Sequence, residues 1–182
     1  MTEIKKLQDL NKFLIQCTGK NRYNVLLDSN EEEINTNNLI NKIRDKTGLM
    51  VVCKYGEIVF GCYNSNMLSE KGQTLYVDKD KKHFVFIFNT TINKGEKYQK
   101  IDYQNQSLII KIIPKAGKSN SSQNYLLECY GAFILESESS AKRSQIDYSF
   151  PGNYDVKKGV SADIFIGQKF FIYDSLTILE WL

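Results

Sequence analysis

The nine residues HFVFIFNTT at 83–91 constrain the fold more than any other stretch of the chain. Apolar groups fall on both faces of an extended backbone there, so the strand they predict needs cover on both sides and belongs centrally in a sheet. Comparable signals recur along the chain. Residues 23–27 (YNVLL) read as a short strand ended by the polar turn Asp28-Ser29-Asn30. Residues 49–54 and 57–64 pair as a hairpin around Tyr55-Gly56. Within that second strand Ile58, Phe60 and Cys62 share one face, while Val59, Gly61 and Tyr63 share the other. Gly61 leaves room there for a neighbouring chain or side chain to come close. Further strands are predicted at 107–113, stopped by Pro114, at 125–135 with a break near Gly131, and at 169–173 and 176–182.

Helical spacing is confined to the first quarter. Ile4, Leu7, Leu10 and Leu14 recur at three and four residues, widened by Phe13, so residues 1–17 read as an N-terminal helix closed at Gly19. A second helix is predicted over 35–46, with Asn35 or Thr36 as its cap, Leu39, Ile40 and Ile43 as its buried stripe, and Gly48 at its end. The later half offers no helices to alternate with strands, which removes parallel α/β folds from consideration. What remains is all-β to α+β: two packed sheets with two helices at their edge. At 182 residues the chain suits a single domain burying about 70% of its unfolded surface. Residues 115–123 (KAGKSNSSQ) have the composition of a mobile loop, and 136–161 read as polar and irregular.

Residue types exclude much chemistry. His83 is the only histidine, so any Ser-His-Asp or Cys-His mechanism must run through it. Its place after the turn Asp78-Lys79-Asp80-Lys81-Lys82, read as solvated, predicts an exposed or edge histidine. One histidine and four scattered cysteines do not make a zinc site. Asp28 to Glu33 lacks the central glycine and terminal glutamate of a calcium loop, and neither GxxxxGK[ST] nor GxGxxG occurs. No catalytic, metal or cofactor residue is therefore expected. Of the cysteines, Cys53, Cys62 and Cys129 sit in or beside apolar runs and read as inert buried thiols. Cys17, near Lys20 and Arg22 at a helix end, is the candidate redox thiol. The unpaired cysteine spacing and the absence of a signal-peptide pattern predict a cytoplasmic or nuclear protein without membrane insertion.

Several segments, taken in order, resemble the TLDc domain family. They are TGKNRYNVLLDSNEEE (18–33), NLINKIRDKTGLMVV (38–52), EIVFGCYNSN (57–66), HFVFIFN (83–89), GVSADIFIG (159–167) and FFIYDSLTILEWL (170–182). The motif positions are Phe60, Gly61 and Tyr63 of an FGxY element, Gly159, Asp163 and Gly167 of a G-x-x-x-D-x-x-x-G element, and the terminal Glu180 and Trp181. The chain departs from the family in lacking a Gly-rich run before residue 159 and an acidic CET-like stretch after Gly167. The resemblance implies an antiparallel two-sheet sandwich with peripheral helices. It also implies a role in oxidative-stress resistance without an established catalytic activity, and partners that in some members are subunits of the vacuolar proton-pumping ATPase.

An alternative stays open. The net charge is +3, and Lys79, Lys81, Lys82, Lys115 and Lys118 interleave with a tyrosine-rich chain. Lysines that neutralise phosphates beside aromatics that stack on bases describe a nucleic-acid-binding regulator.

Overall fold

The hairpin at 49–64 divides its side chains between two apolar layers, and the rest of the chain is built around that division. A computed structural model describes residues 2–72, 74–111, 125–137 and 144–182. In chain order these form α1 (Glu3–Thr18), β1 (Tyr23–Asp28), α2 (Thr36–Ile43), β2 (Leu49–Tyr55), β3 (Ile58–Asn64), β4 (Ser69–Lys71) and β5 (Thr74–Val77). There follow β6 (Phe84–Asn89), β7 (Lys94–Gln99), β8 (Leu108–Lys111), β9 (Tyr125–Cys129), β10 (Phe133–Glu136) and β11 (Ser144–Ile146). The short α3 (Phe150–Asn153), a 3-10 turn at Ala162–Ile164, β12 (Phe170–Phe171) and β13 (Ser175–Trp181) complete it. The predicted loop at 115–123, with Lys115 and Lys118, lies outside the described residues.

Two antiparallel sheets result. One runs β1-β13-β2-β3-β6-β7 and the other β12-β11-β10-β9-β8-β5-β4. The architecture is the expected β-sandwich with helices at its periphery. Phe60, Cys62, Val85 and Ile87 face the second sheet, where Leu127, Cys129, Phe133 and Leu135 meet them. Phe60 makes edge-on contacts with Phe133, Phe165 and Phe171 at 5.2, 5.5 and 5.6 Å. The opposite face of the first sheet carries Val59, Tyr63, Phe84, Phe86, Phe88 and Trp181 under α1. β6 is therefore covered on both sides, as its composition requires, with β3 and β7 as its neighbours. Each of its phenylalanines, fully buried, stabilises the fold by about 1.5–3 kcal/mol.

Helix α1 ends where Gly19 takes φ 69° and returns its N–H to the Ile15 carbonyl. It docks through Phe13, whose ring lies 5.4 Å from that of Phe88. A Cβ on Gly95 would come within 2.5 Å of the Phe13 ring, so β7 needs glycine at this crossing. Only part of the predicted apolar stripe is used, because Leu14 is buried while Ile4 and Leu7 remain 71% and 62% exposed. Lys6 adds a 2.6 Å ion pair to Glu57, at the start of β3's turn. Hydrogen bonds from Lys6 and Thr90 hold the exposed Glu57 carboxyl down at about 2. A carboxylate lowered on folding contributes stability above its unfolded value near 4.3 and loses it as pH falls towards 2. Solvent screening keeps that contribution small. Lys6→Met should raise the Glu57 titration part of the way back towards the ordinary carboxylate range, Thr90 still bonding it, as read by carboxyl NMR; an unchanged titration would contradict the assigned pair.

Helix α2 is capped as expected, Asn35 Oδ1 accepting from the Asn38 N–H at 3.0 Å. It stops at Ile43, however, short of Gly48. Gly48 instead opens β2, where its carbonyl accepts from the Trp181 N–H and a Cβ would sit 2.5 Å from the Trp181 carbonyl oxygen. The two closing strands also separate: β12 joins the second sheet, whereas β13 runs between β1 and β2 in the first.

Candidate functional site

The chemically richest cluster among the described residues lies between the sheets at one end, and it is assembled from strand termini. Asn64 is the last residue of β3, on the same face as Phe60 and Cys62. His83 immediately precedes β6, one rung beyond the Tyr63–Phe84 pair. Ser107 precedes β8, Cys129 ends β9, and Tyr154 follows α3. Their side chains form one connected network. His83 Nδ1 lies 2.9 Å from Asn64 Oδ1, and His83 Nε2 lies 2.9 Å from the Tyr154 hydroxyl. Since Asn64 Oδ1 only accepts, Nδ1 carries a proton, while the Tyr154 hydroxyl that meets Nε2 donates its own proton to the Tyr130 carbonyl at 3.0 Å. Ser107 donates to the same Asn64 Oδ1 at 2.8 Å, which ties the first sheet to the second. Cys129 Sγ is 3.6 Å from the Tyr154 hydroxyl, and Asn64 Nδ2 is 3.8 Å from Cys62 Sγ.

Cys62 and Cys129 lie buried in the same core layer, one from each sheet. Burial pushes the Cys129 thiol up, but the neighbouring Cys62, His83 and Tyr154 outweigh it and hold the group below the ordinary thiol range. Burial leaves Cys62 raised. Lys100 closes the cluster towards solvent, its ammonium 4.6 Å above the Tyr130 ring and bonded to the Gln106 carbonyl. Desolvation lowers the Lys100 ammonium, with the charge of Cys129 opposing.

A cysteine, a histidine and an asparagine are the residue types of a thiol-hydrolase triad, but here the Tyr154 hydroxyl stands between Cys129 and His83. Here they are sealed: His83 is 1% exposed, and Asn64, Cys129 and Tyr154 are 0%. A substrate carbonyl has no approach to the sulfur in this conformation. The expectation of an exposed or edge His83 is thus corrected. Its lysine-rich flank is local, whereas Tyr154, which covers it, lies 71 residues away in sequence. The reading of 78–82 as wholly solvated is corrected too. Asp80 is 2% exposed and accepts from Ser65 N–H and Oγ at 2.5 and 2.6 Å and from Lys82 N–H at 3.0 Å.

The residues singled out from sequence are distributed around the fold. Phe60, Gly61, Tyr63 and Trp181 are core positions, with Trp181 Nε1 donating to Met50 Sδ at 3.3 Å. Glu180 reaches outward, to Lys46 Nζ at 3.3 Å. Gly159 and Gly167 take φ 88° and 70° at turns flanking Asp163, and the Gly167 N–H bonds to the Asp163 carbonyl at 2.9 Å. That segment delivers Phe165 onto Phe60. Lys79, Lys81 and Lys82 are exposed on one turn, Lys81 lying 5.2 Å above the Tyr103 ring. Cys17 is half-buried beneath α1's last turn, and burial pushes its thiol up to about 11 against the opposing charge of Lys97. Little thiolate exists there at neutral pH, which disfavours Cys17 as a reactive centre.

A second feature lies on the outer face of the first sheet. An apolar groove of about 470 Å³ runs between α1 and the sheet, with Leu7, Leu10 and Leu14 on one wall and Val25, Val59 and Leu179 opposite. Asn11 lines it, and its Oδ1 is buried with no hydrogen-bond partner among the described residues. Among the described residues no three His, Cys, Asp or Glu side chains converge as metal ligands, and no helix is long and apolar enough to cross a membrane. No protein-family model matches the chain, and no curated protein matches its sequence.

Proposed function

We propose that the chain is a non-catalytic, partner-binding domain of the TLDc type, acting in oxidative-stress resistance, with subunits of the vacuolar proton-pumping ATPase as its first candidate partners. The observation that carries the reading is the groove under α1. Its rim exposes Leu7 and, on strand β1, Val25 at 62% and 56%, an apolar cost that a monomer without a ligand gains nothing from. The Asn11 carbonyl oxygen at the groove is an acceptor in search of a donor, which a peptide N–H supplies. The groove suits a protein segment with apolar side chains. The order of sequence segments supplies the family, and the sealed position of His83 and Cys129 argues against catalysis.

The test is direct titration of the purified chain with isolated peripheral subunits of that pump, beside Leu7→Asp. Burying a charge in place of Leu7 should weaken binding at least tenfold while leaving the fold intact, because Leu7 is largely solvated in the free chain. Equal affinity of the two proteins would remove the groove from the account. No binding by either would remove this partner.

Nucleic-acid binding remains the second reading, favoured by the exposed Lys79, Lys81 and Lys82 with Lys81 over Tyr103. A DNA titration without salt-dependent binding at low ionic strength ends it.

A further inference from the structure

We propose that β1 is a self-association edge, pairing antiparallel with β1 of a second copy of this chain across a two-fold axis at Val25. The inference goes beyond the partner-binding reading and does not depend on it. It starts from the hydrogen bonds that β1 leaves unmade. The Arg22 carbonyl accepts from the Leu182 N–H, and Asn24 stands opposite Glu180, so both residues face β13. Alternation along an antiparallel ladder then turns the N–H and C=O of Tyr23 and Val25 away from the sheet. β1 is the last strand on that side, with no strand beyond it among the described residues. The other edges are closed to pairing by their length or their charge. β4 and β12 hold three and two residues, and β7 carries Lys94, Glu96 and Lys97. From Tyr23 to Leu27, by contrast, β1 has no charge, and Val25 is 56% exposed.

Charge decides the occupant and its direction. The chain entering β1 is basic, since Arg22 is exposed and has no ion-pair partner among the described residues. The chain leaving it is acidic: Asp28 is followed by Glu31 and Glu33, both exposed and likewise without an ion pair among the described residues. A parallel neighbour of the same sequence would set like charges together. An antiparallel one sets Arg22 beside the second copy's acidic turn, Asp28 to Glu31, and the two-fold axis makes that contact twice. At the centre, Val25 exchanges two N–H···O=C bonds with Val25 of the second copy, the Cα atoms about 5.5 Å apart. That also sets the two exposed valine side chains next to each other. The bulge between Val25 and Leu27 keeps the ladder short. The six residues of β1 cover less than the ~800 Å² a side of a standard interface, so the dimer is weak, with Kd on the order of 10–100 µM.

The test is sedimentation equilibrium of the full chain in reductant, over roughly 5–500 µM, a range that brackets that affinity. Amide hydrogen exchange of the isotope-labelled chain is read at both ends of the range. The expected mass rises from one chain to two. The Val25 N–H should gain about tenfold protection at the high concentration, whereas the Asn24 N–H, already turned to β13, should show no concentration dependence. Val25→Lys, which sets two ammonium groups side by side on the axis, should weaken the dimer about tenfold or more. Its melting temperature should match that of the wild type, because the side chain is exposed. Arg22→Glu should weaken the dimer too, and Glu31→Lys added to that variant should restore part of the loss. A single chain mass at the highest concentration would overturn the proposal. So would a dimer whose Val25 N–H exchanges as freely as in the monomer, or one that Val25→Lys leaves intact. Leu7→Asp, the variant that tests the partner groove, should keep the dimer; its loss with Leu7→Asp and not with Val25→Lys would place the contact on the groove and contradict the edge pairing. Exchange in the wild-type chain decides the matter even if Val25→Lys fails to fold.

Discussion

Gly61→Ala is expected to lower the stability of the chain by about 3 kcal/mol or more, at the upper end of what overpacking costs. Gly61 sits in β3 opposite Val52 and Phe86, the registers with β2 and β6 being fixed on both sides. A Cβ there would fall inside contact distance of the Val51 carbonyl oxygen and 2.9 Å from Phe86 Cε1. The phenyl ring has somewhere to turn only by leaving the cluster under α1. The carbonyl is backbone in a ladder and has nowhere to go. Urea unfolding should show the midpoint falling by roughly 1–2 M at a slope typical of this size. Gly152→Ala is the matched control, because its Cβ would meet nothing within 4 Å. If the two variants unfold at the same urea concentration, the close approach at Gly61 is not what the residue is there for.

Asn64→Ala should cost about 2–4 kcal/mol through the polar network, by stranding buried donors. Its Oδ1 accepts from both His83 Nδ1 and Ser107 Oγ, in a site with no solvent exposure. Ser107 keeps a fallback in the Val77 carbonyl at 3.3 Å, so the larger share falls on the stranded imidazole N–H. Thermal unfolding should report a fall of about 5–15 °C, since each kcal/mol moves a chain of this length by about 2–4 °C. Tyr154→Phe removes only one hydroxyl from the far side of the ring and should cost less. A loss under 0.5 kcal/mol for Asn64→Ala would mean that the network is ornamental to the fold.

How much of this was legible in the sequence depended on whether neighbours in sequence were also neighbours in space. The β2–β3 hairpin, β6, the Gly131 turn and both long helices were readable because each carries its own periodicity and its own punctuation. β7, KGEKYQ, was not: it is a sheet-edge strand whose outward residues are charged, so alternation never rises above its polar background. β4, β5, β11 and α3 escaped for a related reason, being three or four residues long and held by partners far away. Phe150 and Tyr154 looked like part of a polar, irregular stretch, yet both are fully buried. The network was hidden in the same way. Lysines around His83 pointed to solvent, while the groups that bury it come from β3 and the segment after α3. One clue was present: Asn64 and His83 both abut strands apolar on each face, where a polar residue must find a partner. Cys17 was singled out from nearby basic residues, but the half-burial that raises its thiol comes from tertiary packing.

The most direct trial of the partner-binding account is affinity capture of the tagged chain from its own lysate, with and without nuclease, beside Leu7→Asp. The account predicts nuclease-resistant recovery of proton-pump subunits by the wild-type chain, and their loss with the variant. Recovery that nuclease abolishes, or that Leu7→Asp leaves untouched, would contradict it.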